Sequence, residues 1–291
     1  MGKTLKANGV TQFIRHFLLA IQFFTRIPIT GKLADWVGFS PAMLRASAAH
    51  FPGVGVVVGM VAALVYVALA ALLPDSTFTP LIAAVLSTIA TVLLTGAFHE
   101  DGLADVADGL GGSYDRNRAL EIMKDSRVGA FGALALVLAV LAKVALLSLL
   151  GGVEGDPTGW GDFSDGAPFK TWYVASALLA GHVVSRTLPL LLIFWLPHVG
   201  DAAASKSKPL ADNISLNSLS AAFIWCFMAL APVSWAQAAT DLIVACSLAF
   251  IALLYMQRLF KRNLQGFTGD CLGATQQVCE IAFYLGLAIA L

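Results

Sequence analysis

The chain of 291 residues carries 18 basic and 18 acidic side chains, so only 12% of its residues are charged, against roughly 25% in soluble domains. Hydrophobic residues make up 58% of the chain, and its mean hydropathy is +0.79. So little charge cannot cover a water-exposed surface. The composition therefore excludes an ordinary soluble enzyme, a disordered chain and a basic protein that binds nucleic acid. It predicts an all-α integral membrane protein.

The first predicted element is an amphipathic helix over Val10–Arg26. Phe13, Phe17, Ile21 and Phe24 recur at helical spacing and form one apolar stripe. Such a helix would lie in the membrane interface on the cytoplasmic side, with its apolar face in the lipid. A short re-entrant segment would explain the same pattern.

Seven further stretches are long and apolar enough to cross a bilayer, which takes about 20 mainly apolar residues. They are Phe51–Leu73, Pro80–Phe98, Val128–Leu150, Trp172–Leu196, Leu219–Trp235, Ala238–Met256 and Ala274–Leu291. The last stretch is the least regular, because Gln276, Gln277 and Glu280 lie near its start. We therefore predict a single polytopic membrane domain over residues 1–291, with about seven transmembrane helices and the N-terminal interfacial helix.

Basic residues are concentrated in alternate loops. Of the 18 lysines and arginines, 15 lie before the first span or in the loops after the second, fourth and sixth spans. Because cytoplasmic loops carry an excess of Lys and Arg, this pattern predicts a cytoplasmic N-terminus and an external C-terminus. Lys143 lies inside the third span, and we expect its amine to extend outward to the membrane interface.

The densest group of charge follows the second span. It occupies the segment His99-Glu100-Asp101-Gly102-Leu103-Ala104-Asp105-Val106-Ala107-Asp108-Gly109. If the helix continues through this segment, Asp101, Asp105 and Asp108 share one face. At about 5.5 Å and an effective dielectric of about 20, each neighbouring pair repels by roughly 3 kcal/mol, which a proton or a cation would relieve. Aligned carboxylates suit Mg²⁺, which also takes water and phosphate oxygens as ligands. A solvated helix end is the alternative, but the intervening small and apolar residues favour the metal site.

A second group of polar residues follows the glycine turn that ends this segment. Lys124 and Arg127 supply positive charge that could hold phosphate oxygens, and Asp125 is a further candidate metal ligand. The excess of basic residues in cytoplasmic loops explains the same lysine and arginine without any substrate. Near the C-terminus, another glycine-bracketed loop ends in Asp270.

Three ionisable residues fall inside predicted spans. His182 and Arg186 lie four residues apart in the fourth span, and Glu280 lies in the seventh. Such residues usually face an interior or a cavity, where they could pair with each other, bind substrate or form the relay of a cation- or proton-coupled transporter. Transporters typically place their sites near the midplane between repeated halves, whereas this chain shows no repeat and its dense cluster lies at a surface. A non-catalytic membrane subunit would leave that cluster unexplained.

Five blocks along the chain carry a family resemblance. They are Phe24-Thr25-Arg26-Ile27-Pro28, Phe51-Pro52-Gly53-Val54-Gly55, the acidic segment from His99 to Gly109, Lys124-Asp125-Ser126-Arg127-Val128-Gly129, and Thr268-Gly269-Asp270. In these blocks, and in their order, the chain resembles the cobalamin synthase family, adenosylcobinamide-GDP ribazoletransferase. The segment Asp105-Val106-Ala107-Asp108-Gly109 is also similar to the opening of the CDP-alcohol phosphotransferase signature, although the Ala-Arg that follows in that signature is absent.

The resemblance implies an enzyme of the bacterial inner membrane in late cobalamin biosynthesis. Such an enzyme joins adenosylcobinamide-GDP to α-ribazole or its 5′-phosphate, releases GMP and requires Mg²⁺. We expect these substrates and the lipid bilayer as its partners, and we allow for a homo-oligomer or a complex with other late-pathway enzymes.

On this hypothesis the polar residues divide into three roles on the cytoplasmic side. The expected metal ligands are Asp101, Asp105, Asp108, Glu100 and Asp125. The expected substrate-binding residues are Lys124, Arg127, His99, Arg186 and Asp270. Asp108 and Asp105 are the expected catalytic residues, and Asp108 would take the proton from the attacking ribose hydroxyl.

Overall fold

The structure, a computed structural model, describes residues 9–152, 167–200 and 213–291. These residues form thirteen α-helices, with one short 3₁₀ turn over Ala48–His50. The helices are α1 (Gly9–Phe24), α2 (Gly31–Val37), α3 (Pro41–Ser47), α4 (Phe51–Leu72), α5 (Thr79–Thr95), α6 (Phe98–Gly112), α7 (Arg116–Ile122), α8 (Ala130–Gly152), α9 (Ala167–Thr187), α10 (Leu190–Trp195), α11 (Leu216–Val233), α12 (Ala239–Asn263) and α13 (Gly269–Ala290). The described part of the chain contains no β-strand, only an isolated bridge between His198 and Phe267.

Six segments of the described residues are long and apolar enough to cross a membrane. They are Pro41–Leu72, Ala130–Gly152, Thr171–Trp195, Leu216–Val233, Ala239–Asn263 and Gly269–Ala290. A seventh arises if α5 and α6 together are counted as one broken span. The structure therefore confirms the all-α membrane fold. The main differences in boundaries are that α12 continues past Met256 and that α13 begins before Ala274, so both helices reach further toward the same loop.

The acidic segment follows the second span directly in the sequence, but in the structure it does not continue the helix of that span. The axis of α6 is turned by 89° from that of α5. Gly96 and Ala97 make this turn in the left-handed conformation, with φ of 68° and 58°. Glycine adopts this conformation without a steric penalty, whereas alanine does so at a cost of about 1–2 kcal/mol. The acidic residues therefore lie on a separate helix.

Close backbone contacts fix where α6 lies. A Cβ atom on Gly132, in the first turn of α8, would be 2.9 Å from the carbonyl oxygen of Ala104. A Cβ atom on Gly102 would be 2.8 Å from the carbonyl oxygen of Asp270, in the first turn of α13. Because α6 meets the first turns of both helices, it lies at the end of the bundle where α8 and α13 begin.

The described basic segments come together at this same end. The backbone N–H of Arg26 donates to the carbonyl of Leu94, and Arg116 Nε donates to the carbonyl of Leu264 at 2.7 Å. These contacts join the segment before α4, the α5–α8 connection and the α12–α13 loop. The side of the membrane that this end faces stays a prediction. Four lysines of the charge count lie outside the described residues, namely Lys3, Lys6, Lys206 and Lys208.

The predicted N-terminal helix is present as α1. Its C-terminal half is buried through Leu19, Ile21 and Phe24, while Phe17 stacks on Trp225 of α11 with ring centroids 5.5 Å apart. The apolar stripe therefore faces the protein over much of its length. The predicted position of α1 in the membrane interface stays a prediction, and so does its alternative, a re-entrant segment.

Helices α9 and α13 form the centre of the bundle. Gly55 and Gly59 of α4 bring that helix against the backbone of α9, and Gly286 of α13 lies against Ala245 of α12. Small residues allow membrane helices to approach closely in this way. The polar side chains of α9 and α13 are consequently held inside the protein rather than in lipid.

Candidate active site

The helix α6 displays Asp101, Asp105 and Asp108 at helical spacing, as the sequence predicts. Burial, followed by the charges of Asp270, Asp101 and Asp108, raises the pKa of Asp105 to about 7. Asp270 comes from the first turn of α13, where Thr268 donates a hydrogen bond of 3.1 Å to its carboxylate. The structure therefore adds Asp270, predicted only as a substrate-binding residue, to a group of like-charged carboxylates.

Glycines make this grouping of carboxylates sterically feasible. Gly102 lets α6 approach the backbone of Asp270, because any side chain there would meet that backbone at about 3 Å. One turn further along α13, a Cβ atom on Gly273 would lie 3.3 Å from the Cα of His99. The two helices therefore approach backbone to backbone, and this contact holds Asp270 near Asp105.

Asp108 has a different environment from Asp105. Its carboxylate is only 7% exposed and accepts hydrogen bonds from the backbone N–H of Gly129 at 2.6 Å and of Gly132 at 2.8 Å. These N–H groups belong to the start of α8, so Asp108 caps that helix and neutralises its positive end. With both oxygens accepting hydrogen bonds, Asp108 is less suited than Asp105 to take a proton during catalysis.

Glu100 and Asp125, two predicted metal ligands, are each engaged by other side chains. Glu100 points into the protein, where Gln277 Nε2 donates to its Oε1 at 3.1 Å. Asp125 lies after α7 and accepts hydrogen bonds from Arg127, which lower its pKa to about 2. Within the described residues, no three His, Cys, Asp or Glu side chains are arranged to hold a metal ion.

The loop after α7 borders a cleft of about 340 Å³ between α6, α7 and α8. Arg127 lies on this cleft and is bound to Asp125 through its guanidinium. Lys124 is exposed at the end of α7. The structure thus places Arg127, a predicted phosphate ligand, beside Asp108 in one cleft, on the outer side of the acidic helix.

A buried polar network lies beneath α6, inside the spanning helices. Lys143 Nζ is 2.6 Å from Glu280 Oε1, and His182 Nδ1 is 3.4 Å from Glu280 Oε2. Lys143 is only 4% exposed, so the expectation that its amine extends to the membrane interface is wrong. A buried unpaired carboxylate would be costly, and the inward lysine removes that cost.

Two glutamines connect this network to the acidic helix. Gln276 Nε2 donates to Glu280 at 2.6 Å and to Ser185 Oγ at 2.9 Å. Gln277 Nε2 donates to the side chain of Gln276 at 3.0 Å as well as to Glu100. The hydrogen bonds therefore run from α9 through α13 to α6. In the sequence these glutamines stood out only as irregularities in an apolar span.

His99 and Arg186, both predicted to bind substrate, lie where this network meets the start of α6. His99 stacks on Phe51 with ring centroids 5.7 Å apart, and the Arg186 guanidinium carbon is 5.9 Å from the centre of the same ring. Arg186 also reaches His182 Nδ1 at 3.0 Å. Among the described residues, His99 Nε2 and Arg186 Nε have no hydrogen-bond partner. Both nitrogens are buried.

Comparison with known proteins identifies one family. The chain matches the sequence model of the family described as cobalamin-5-phosphate synthase over residues 16–288. A protein from Polaromonas sp. (strain JS666 / ATCC BAA-500), named adenosylcobinamide-GDP ribazoletransferase, is 69% identical over 98% of this chain and 100% of its own length. Proteins of the same name from Albidiferax ferrireducens and Leptothrix cholodnii are 60% and 46% identical. The match with the first spans 97% of this chain and 100% of the relative. The match with the second spans 94% of each chain.

No solved structure matches the chain. The transporter alternative is not supported: His182 and Glu280 contact each other within the buried network, and the matching relatives carry the name of a transferase. The family model spans α6, the cleft beside it and the buried network beneath it. The chain therefore belongs to the cobalamin-5-phosphate synthase family.

Proposed function

We propose that the chain is a membrane-embedded transferase that joins adenosylcobinamide-GDP to α-ribazole or to its 5′-phosphate and releases GMP. The observation that carries this proposal is the identity of 69% over 98% of the chain with a relative of that name. The group of carboxylates at one end of the bundle supports it. Phosphoryl transfer depends mainly on positioning and on stabilising charge, and α6 supplies charged groups in a fixed arrangement.

We also propose that the site uses Mg²⁺, held by Asp101 and Asp270. The donor chemistry fits, because Mg²⁺ prefers oxygen ligands and needs only one or two carboxylates beside water and phosphate oxygens. The raised pKa of Asp105 supports the same proposal, since its causes after burial are the negative charges of Asp270, Asp101 and Asp108. When bound, Mg²⁺ would neutralise negative charge on the transferred phosphate and on the departing GMP.

Asp105 is the proposed general base in this site. Its carboxylate lies beside Asp101 and Asp270, the proposed metal ligands, where it could take a proton from an attacking ribose hydroxyl. Asp108 would hold the start of α8 in place, and Arg127 and Lys124 would contact phosphate oxygens. His99 and Arg186 would contribute their unpartnered nitrogens to binding on the inner side of α6.

The test is GMP release from adenosylcobinamide-GDP and α-ribazole by the purified full-length protein in detergent. We expect activity that requires Mg²⁺ and is lost with a chelator. We also expect Asp101→Asn and Asp105→Asn each to lower it by about 100-fold or more. Asp75→Asn is the matched control, because Asp75 is exposed between α4 and α5 at the opposite end of the bundle. Wild-type rates in both active-site variants would contradict the assignment.

A further inference from the structure

The cleft between α6, α7 and α8 differs in character from the acidic face beside it. Its volume of about 340 Å³ lies within the range of small-molecule sites. It combines two arginines, three carboxylates and an aromatic ring, namely Arg118, Arg127, Asp108, Glu121, Asp125 and Phe131. Asp108 lines this cleft and also contributes to the raised pKa of Asp105. The cleft therefore adjoins the proposed transfer site.

Phe131 offers a flat aromatic surface in this cleft. Its side chain is 54% exposed, although it lies in the first turn of α8. The ring packs on the backbone of α6, since a Cβ atom on Gly111 would be 2.6 Å from Phe131 Cγ. Glycine at position 111 thus gives the ring its place beside the cleft. A planar base could stack on the exposed part of this ring.

Arg118 and Arg127 can leave their present ion pairs and bind phosphate with little loss of stability. Arg118 Nη1 is 3.0 Å from Glu121 Oε2, and these side chains are 66% and 65% exposed. Arg127 is paired with Asp125 and is still more exposed. Exposed ion pairs of this kind contribute little to stability. Both guanidinium groups can therefore exchange their partners for phosphate oxygens, which arginine binds bidentately.

The carboxylates that pair with these arginines, Asp125 and Glu121, differ as hydrogen-bond acceptors. Both oxygens of Asp125 accept hydrogen bonds from the side chain of Arg127, and Oδ1 also accepts from its backbone N–H. Glu121 lines the cleft and accepts a hydrogen bond from Arg118 Nη1. Its carboxylate can accept two adjacent N–H donors, and guanine presents such a pair on one edge. Adenine lacks that pair, so the cleft favours guanine.

We propose that this cleft binds the guanosine 5′-phosphate part of the donor. Phe131 stacks on the base, Glu121 accepts hydrogen bonds from the guanine edge, and Arg118 and Arg127 bind phosphate. The proposal rests on the proposed function and assigns a subsite to one half of the donor. It also gives Glu121, Arg118 and Phe131 a role that the sequence did not suggest.

The experiment is calorimetric titration of the full-length protein in detergent with GMP and, separately, with AMP. We expect the wild type to bind GMP at least about tenfold more tightly than AMP, as one bidentate carboxylate contact would provide. Glu121→Gln should abolish that preference while leaving the affinity for AMP unchanged. Phe131→Leu should lower the affinity for both nucleotides. Phe131→Trp, which keeps a stacking surface, should bind both nucleotides about as tightly as the wild type. Asp75→Asn should behave as the wild type.

The outcomes separate this inference from the proposed function. A wild type that releases GMP from adenosylcobinamide-GDP but does not distinguish GMP from AMP would overturn the inference alone. Unchanged preference in monodisperse Glu121→Gln protein, or unchanged affinities in Phe131→Leu, would also overturn it. Selective GMP binding that depends on Glu121, in a protein without transferase activity, would support the subsite and contradict the proposed function.

Discussion

Asp105 lies among three other carboxylates, and this position has opposite consequences for stability and for function. Burial and the charges of Asp270, Asp101 and Asp108 raise its pKa to about 7, well above the value in an unfolded chain. A raised carboxyl pKa contributes stability that is fully present below about pH 4 and is lost as the pH rises through about 7. Above neutral pH the cation-free protein therefore carries the full repulsion.

We expect Asp105→Asn to be more stable than the wild type at pH 8 without divalent cations. The melting temperature should rise by about 2–4 °C for each kcal/mol of repulsion removed, and its dependence on pH between 4 and 7 should flatten. Thermal unfolding in detergent with a chelator measures both effects. Added Mg²⁺ should then raise the melting temperature of the wild type more than that of the variant. A variant less stable than the wild type at pH 8 would refute this account.

The charge pair between Lys143 and Glu280 lends itself to a double-mutant test. Lys143→Met leaves a buried carboxylate without its lysine, and we expect a loss of about 3–5 kcal/mol in stability. Glu280→Gln in the same protein removes the unpaired charge and should recover most of that loss. Yield and thermal stability of the two single variants and the double variant in detergent give the coupling. Equal loss in the single variant Lys143→Met and in the double variant would mean that the two charges are not coupled.

At the scale of elements, the contact of α6 with α13 sets the distance between the carboxylates. We expect Gly102→Ala to lower kcat by up to about 100-fold, because the new Cβ atom would meet the backbone of Asp270 and displace α6. Gly152→Ala is the matched control, since a Cβ atom at Gly152 would have no neighbour within 4 Å. GMP release by the two variants measures the difference. Equal rates would show that this contact does not position the site.

Apolar stretches of the sequence predict the spanning helices well, since crossing a bilayer imposes both length and composition. The turn between α5 and α6 has only Gly96 as a sign in the sequence, because the left-handed conformation of Ala97 leaves none, and one glycine in an apolar stretch does not specify a turn. Lys143 was misassigned because its partner, Glu280, lies far away in sequence. The capping role of Asp108 depends on backbone groups of α8, which helical spacing within α6 does not reveal. The sequence did predict the acidic face itself, because it depends on local spacing alone.

At the scale of the whole molecule, the acidic helix, the cleft between α6, α7 and α8 and the described basic loops lie at one end of the bundle. The excess of basic residues there predicts that this end faces the cytoplasm, where both nucleotide and metal are available. The opposite end carries the short α4–α5 connection. This asymmetry makes the orientation testable with single introduced cysteines.

We expect Ser126→Cys to react with a membrane-impermeant maleimide in inside-out vesicles but not in right-side-out vesicles. Ser76→Cys should show the reverse, because Ser76 lies in the α4–α5 connection. Both positions are exposed, and the four native cysteines are buried or half-buried, which lowers the background. Labelling of both positions from the same side would contradict the seven-span topology. Labelling with the sides reversed would place the site outside.

The pairing of Lys143 with Glu280 also constrains how the chain enters the membrane. A lysine at the centre of a helix costs about 2.5–3.5 kcal/mol to insert, and α8 is synthesised well before α13. Until α13 arrives, α8 carries that cost without its partner. Assembly is therefore completed by a late helix, and chains interrupted before α13 would expose an uncompensated charge to lipid.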